Sequence, residues 1–298
     1  MTNHPKLSII IPTHNRPVLL KRAVGSVLST PRPDIEVLVV EDNTTCAAAG
    51  LQDWAQDAVL RVISRTGSRG ASATRNAGVA EARADVILFL DDDDAVFPKY
   101  IDRVVALAAR PDLSWGFAQH ARRGEDGSWY EHKSSKNRSF GLLQAGVPFY
   151  RKIAATSAGF WIRRALFEKI GGFCIDLAMD EDTDLCCRLL RNGHAPWRDP
   201  ALAVILDRVG SHPRLTNSTS AKTRAECYFR TFARNAPALA AEPGAVFFLA
   251  ERAQRAILRA GQQDQMLQHL HAQLPKTFWA RCLKAVSPVR AAYYACRR

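Results

Sequence analysis

No apolar run in this sequence is long enough to cross a bilayer. Runs such as Ile9–Ile11, Val86–Leu90 and Val246–Ala250 fall far short of the ~18 residues a spanning helix needs. No signal peptide is expected, because Pro5 and Lys6 precede the first apolar run. Cysteine is sparse and unpatterned: seven residues, an odd number, without a CxxC and with only Cys186 and Cys187 adjacent. That argues for reduced thiols and against a disulfide framework or a structural zinc site. Neither GxGxxG nor GxxxxGK[ST] is present, which excludes the dinucleotide and P-loop routes to phosphate binding. There is no internal repeat. Acidic residues are scarce near the end: from Thr216 to Arg298 thirteen Lys/Arg stand against four Asp/Glu.

What is present is ordinary for a globular chain. Of 298 residues, 47% are apolar and 23% charged, which excludes a disordered chain, a collagen-like fibre and a coiled-coil rod. The length allows one large domain or two modest ones. Strand-like runs at Leu7–Ile11, Glu36–Val40, Val59–Ile63 and Asp85–Leu90 alternate with helical patterns at Arg16–Leu28, Ala71–Glu81 and Phe97–Ala109. This alternation predicts an α/β fold with a mostly parallel sheet and helices on its faces. Further on, Arg122–Asn137 reads as a loop or a strand pair, Thr156–Ile162 and Ala201–Leu206 as strands, and Arg163–Ile170 and Asp182–Arg191 as helices. Gly171-Gly172 and Asn192-Gly193 close those two helices. From Ser220 the pattern becomes amphipathic helices broken at Pro237, Pro243, Pro275 and Pro288. The expected division is 1–215 for the α/β part and 216–298 for a basic, mostly helical region.

Four aspartates, Asp91–Asp94, follow the strand at Val86–Leu90. Adjacent carboxylates repel one another. A divalent cation relieves that, and Mg²⁺ or Mn²⁺ prefers oxygen ligands shared with substrate phosphates. A metal–diphosphate site and an acidic turn in water both fit the run alone. Other polar groups end neighbouring strands: Pro12-Thr13-His14-Asn15-Arg16 the first, Glu41-Asp42 the second, with Arg75-Asn76 opening the helix before the acidic strand. In a parallel sheet these ends meet on one rim, where ligands bind. The rim describes a nucleotide-diphosphate pocket.

With these residues in order, the chain resembles the family 2 glycosyltransferases, which have the GT-A fold. The resemblance rests on Leu7–Arg16, Val39-Val40-Glu41-Asp42, Ala73-Thr74-Arg75-Asn76-Ala77-Gly78, Phe89–Asp94, Gly171-Gly172-Phe173 and Glu181-Asp182-Thr183-Asp184-Leu185, and covers roughly residues 6–215. It implies a GT-A catalytic domain with a C-terminal helical region outside it. It implies that Asp42 and the backbone at Pro12-Thr13 contact the nucleobase of a donor, probed as a UDP-sugar. Asn15, Arg16, Arg75, Asn76, Asp91 and Asp92 complete the nucleotide site. Asp93 would hold Mn²⁺ or Mg²⁺, with His212 as a further metal-side residue, and Asp182 would be the catalytic base.

The implied chemistry is inverting transfer. The metal neutralises charge on the departing diphosphate, and a carboxylate on the opposite side of the anomeric carbon takes the acceptor hydroxyl's proton. The acceptor is expected to be a saccharide or lipid-linked saccharide in cell-surface polysaccharide or lipopolysaccharide synthesis. Two other readings were weighed: a phosphatase with an aspartate nucleophile, and an inactive GT-A module that binds nucleotide or polysaccharide. The C-terminal stretch interleaves Phe247, Phe248, Leu249, Ala253, Ile257 and Leu258 with Arg252, Arg255 and Arg259. That pattern suits a helix lying on an anionic membrane, hence a cytoplasmic protein peripheral to the inner face of the inner membrane. Nucleic acid is not an expected partner, because interleaved aromatic patches and binding motifs are missing.

Overall fold

The computed structural model describes residues 4–30, 32–42, 50–54, 56–67, 70–124, 126–131, 139–154, 156–207, 219–261 and 265–287. Four parallel strands form half of its sheet, in the order β3-β2-β1-β4. They are β1 (Leu7–Thr13), β2 (Ile35–Asp42), β3 (Leu60–Arg65) and β4 (Val86–Phe89). Side chains alternate across the sheet, and the sequence uses both faces. Ile9 and Ile11 pack on one side with α1 (Pro17–Leu28) and α3 (Pro98–Ala108). Ile10, Leu38 and Val40 pack on the other with α2 (Ala71–Glu81), α4 (Arg164–Lys169) and α5 (Glu181–Arg191). Burial on both faces explains why β1, β2 and β4 read as continuous apolar runs, whereas β3, at the edge, is partly exposed.

The other half of the sheet is mixed. β9 (Trp161–Arg163) runs antiparallel to both β4 and β6 (Trp115–Arg123), and β6 runs parallel to β10 (Trp197–Leu206). Short strands β5 (Ala95–Val96) and β8 (Gly141–Leu142) flank β10, and β7 (Trp129–Glu131) flanks β6. The strand expected at Thr156–Ile162 begins only at Trp161. Before it the chain turns, with Phe160 N–H donating to Ser157 O at 3.0 Å and Gly159 at φ +78°. Strand β6 went unread in the sequence. Between Arg122 and Glu131 the strand-pair reading holds. β10 starts earlier than Ala201 because its register shifts between Arg198 and Leu202. That irregularity accommodates Pro200, which cannot donate to a ladder.

Among the described residues four C-terminal helices follow: α6 (Ala221–Asn235), α7 (Pro243–Ala260), α8 (Gln265–Ala272) and α9 (Phe278–Ala285). Their apolar faces form a third core with Phe149 and Cys187 of the preceding part. Leu249, Ala253 and Ile257 of the expected membrane stripe are buried there, whereas Phe247 is 42% exposed. The stripe is therefore covered by the chain itself, and Arg255, Arg259, Arg281 and Lys284 remain on the outside. No helix among the described residues is long and apolar enough to cross a membrane. The boundary expected near 215, Pro288 and His212 lie outside the described residues.

Candidate active site

β4 delivers the chain to the acidic turn at the rim. Asp94 N–H donates to Asp91 O at 3.1 Å and closes the turn. Asp92 faces back towards β1: its carboxylate accepts from Thr13 Oγ1 at 2.8 Å and from Arg16 Nη1 at 3.1 Å. Burial raises its pKa to about 6 against the pull of Arg16 and Thr13. Asp92 was expected in the nucleotide site, but this carboxylate ties the turn to β1, because only 6% of the residue is exposed. Arg16 also lies 3.7 Å from Asp93. Asn15, at φ 54°, supplies the left-handed backbone between β1 and α1, a conformation Asn tolerates better than most residues.

Asp91, Asp93 and Asp94 each bring a carboxylate oxygen to within 4.8 Å of the others. Such a set of hard oxygen donors fits Mg²⁺ or Mn²⁺. The turn is braced from outside. Arg22 donates to Asp93 O at 2.5 Å and pairs with Asp207. Arg123 reaches Asp207 at 3.3 Å, and Asp207 N–H donates to Asp94 Oδ1 at 3.1 Å. Asp94 and Asp207 carry roles that the sequence analysis did not assign.

At the end of β2, Asp42 accepts from Arg65 Nη1 and from Gly70 N–H, each at 2.8 Å. Its carbonyl accepts from His14 Nδ1 at 2.7 Å. Asp42 thus holds the approach to α2 as well as standing on the rim beside Pro12 and Thr13. From α2, Arg75 bridges two acids: Nη2 donates to Asp91 Oδ1 at 2.6 Å and Nη1 to Glu181 Oε1 at 2.9 Å. Its guanidinium lies 5.4 Å from the Phe173 ring centroid. Asn76, expected in the nucleotide site, has both ends of its amide engaged by the backbone of Phe173. Its amide donates to Phe173 O at 2.8 Å and accepts from Phe173 N–H at 2.9 Å. That clamps the turn at Gly171 and Gly172, both at positive φ.

The expected base sits at the start of α5. Asp180, left-handed at φ 70°, turns the chain into the helix, and Glu181, Asp182 and Asp184 occupy the first turn. A helix N-terminus favours negative charge there. Burial nevertheless raises Asp182, although Arg252 and the Thr183 N–H pull the other way, and it raises Glu181 to about 7. Asp182 Oδ1 accepts from Thr183 N–H at 2.6 Å. Its Oδ2 has no hydrogen-bond partner among the described residues. Beside it, Arg252 of α7 donates to Asp180 Oδ1 at 2.7 Å and to Thr183 Oγ1 at 2.9 Å. The guanidinium is packed between Tyr228 and Phe248, 4.7 and 5.1 Å from their ring centroids.

Sequence reasoning missed Arg252, reading it as one of several membrane-facing charges. One signal was available: Arg252 stands four residues after Phe248 and three after Leu249, inside the apolar stripe. The structure brings Pro12, Thr13, Asn15, Arg16, Asp42, Arg75, Asp91, Asp92 and Asp93 to one rim, and Arg75 joins that rim to the Glu181-Asp182 pair.

Comparison with known proteins bears on the family and the fold. The family model described as Glycosyl transferase family 2 matches residues 8–171. An O-antigen biosynthesis protein, RfbC of Myxococcus xanthus, is 30% identical over 191 residues, covering 57% of this chain and 14% of that protein. A GalNAc(5)-diNAcBac-PP-undecaprenol beta-1,3-glucosyltransferase of Campylobacter jejuni is 33% identical over 93 residues, 30% of each chain. The chain spans less than a third of the length of either relative. Among solved structures, S. aureus TarS 1-349 in complex with UDP-GlcNAc superposes with a TM-score of 0.71 at 15% identity. That superposition covers 97% of this chain and 89% of that one, and at such low identity the likeness concerns the fold, GT-A. With the family match spanning more than half of its residues, the chain belongs to glycosyl transferase family 2.

Proposed function

We propose that the protein is an inverting, metal-dependent glycosyltransferase. Its donor is a nucleotide-diphosphate sugar, read here as a UDP-sugar in keeping with the UDP-GlcNAc bound by TarS. The observation that carries the reading is the Arg75 bridge. One guanidinium links Asp91 of the carboxylate cluster to Glu181 beside Asp182. Groups suited to a diphosphate and a group suited to a hydroxyl proton thus lie on either side of one side chain.

Asp91, Asp93 and Asp94 would hold Mn²⁺ or Mg²⁺, which when bound supplies positive charge against the diphosphate. Arg16 and Arg75 add fixed positive charge to the same rim, and Asp42 with the Pro12-Thr13 backbone lies where the base is read. Asp182 takes the proton of the acceptor hydroxyl as that oxygen attacks the anomeric carbon, and the nucleotide diphosphate leaves from the opposite face. The raised proton affinity of Asp182 suits it to this task at neutral pH. The acceptor is a saccharide or lipid-linked saccharide of surface-polysaccharide synthesis, as the names of the O-antigen and undecaprenol-dependent relatives suggest. The exposed basic face of the C-terminal helices gives the protein a means of staying near an anionic cytoplasmic membrane surface, through charge and not through its covered apolar stripe.

Asp93→Ala is expected to abolish Mn²⁺-dependent UDP binding and UDP-sugar turnover with the melting temperature little changed. Calorimetry with UDP and a coupled assay for UDP release decide the matter. Full metal-dependent turnover in this variant would sink the metal assignment. UDP binding without any turnover in the wild type would favour a binding module instead.

A further inference from the structure

A pocket of about 230 Å³ opens beside Asp182. One wall comes from the segment after β8, with Tyr150, Ile153 and Ala154, and the other from α7, with Phe248 and Arg252. Its volume is below the ~300–1,000 Å³ usual for drug-sized ligands and suits a single ring. Tyr150 is 56% exposed and offers its ring to whatever enters. Phe248, whose ring centroid lies 5.9 Å from that of Phe149, lines the same pocket.

The charges around the pocket restrict its ligand. Arg252 is its one cation among the lining residues, and that cation already serves Asp180 and Thr183. Asp182 is the one carboxylate of the lining, and the Arg151 guanidinium lies 5.7 Å from the Tyr150 ring centroid. The charges of the lining balance and its one cation is already engaged, so an anion gains no unengaged lining partner, whereas an uncharged polyol would find apolar faces, an aromatic ring and a carboxylate acceptor. We propose that this pocket is the acceptor subsite and that it takes one uncharged sugar ring, lying between Tyr150 and Phe248 with a hydroxyl on Asp182 Oδ2. The proposal rests on the glycosyltransferase reading and adds to it the acceptor's chemical class. Helix α7, outside the residues matched by the family model, then forms part of the reaction site.

Saturation-transfer NMR on the full chain with UDP and Mg²⁺ tests this. The probes are methyl glucoside, methyl galactoside, N-acetylglucosamine and glycerol phosphate. At least one neutral sugar is expected to bind to the UDP-loaded protein, and glycerol phosphate is not. Tyr150→Ala and Phe248→Ala are expected to weaken the sugar about three- to tenfold, the scale of a stacked aromatic contact, with UDP affinity retained. Tyr150→Phe, which keeps the ring, should keep the sugar. UDP binding with no neutral sugar bound, or sugar binding untouched by both alanine variants, overturns the subsite and leaves the glycosyltransferase reading standing. Preference for glycerol phosphate overturns the uncharged-ring assignment. Failure of the wild type to bind UDP overturns the reading beneath it as well.

Discussion

Arg75 and Asn76 are neighbours on α2, yet they do different work. Arg75 is charged, so burial obliges it to find carboxylates, and it has two. Asn76 is neutral and can satisfy a peptide N–H and C=O together, as it does at Phe173. Asn76→Ala is therefore expected to cost ~1–3 kcal/mol, the penalty for orphaning half-buried polar groups, without changing UDP affinity. Thermal melts and calorimetry check this, and a loss of UDP affinity at unchanged stability would return Asn76 to the nucleotide site. At Asp182 the sign of the pKa shift gives a second test. The base must be deprotonated to act, and burial raises its proton affinity. The acid limb of kcat/KM should thus lie above the pH of ~4 at which an ordinary aspartate titrates. Asp182→Asn should lower kcat by ~10²–10⁴, the usual worth of a general base, with UDP-sugar binding near normal. A collapse of donor affinity with the chemical step intact would make Asp182 a binding residue.

Among the elements, two helices were legible almost to the residue: Ala71–Glu81 is read and observed alike, and Arg16–Leu28 differs by one position. The parallel strands β1, β2 and β4 were equally plain, because both of their faces are buried. Strand β6 escaped because its sequence, Trp115–Arg123, passes from apolar to basic within one strand, which matches neither an alternating nor a continuous apolar pattern. The site was legible where it rests on contiguous motifs at strand ends. It was illegible where it depends on residues far apart in the chain, as in the pairing of Arg252 with Asp180. The fit of α2 on the sheet gives a prediction of its own. A Cβ at Gly78 would lie 2.6 Å from Ile10 Cγ2 and 3.0 Å from Val40 Cγ2. Gly78→Ala gains ~1 kcal/mol of helix propensity but meets ~1–3 kcal/mol of overpacking. A net fall in melting temperature is expected, and a rise would show that α2 can shift on the sheet.

Taken whole, the molecule divides less cleanly than its charge distribution suggests. The stretch from Thr216 looked like an appendage because its basic excess contrasts with a nearly balanced body. Charge says where solvent is, however, and the apolar stripe beneath it says where the rest of the protein is. The C-terminal helices cover Phe149 and Cys187 and send Arg252 to Asp180. The contacts described at the rim and at Asp182 come from residues other than Arg255, Arg281 and Lys284, so on the proposed function vesicle binding and catalysis should separate. Co-sedimentation with anionic vesicles is expected to fall with added salt and to be absent with neutral vesicles. Salt-independent binding to both would mean that apolar insertion takes part after all. Because one wall of the pocket at Asp182 is encoded after residue 242 and the acidic turn before residue 95, the two ends of the coding sequence can diverge separately. Recombination or drift confined to the later end could change which molecule is decorated while leaving unchanged which sugar is delivered.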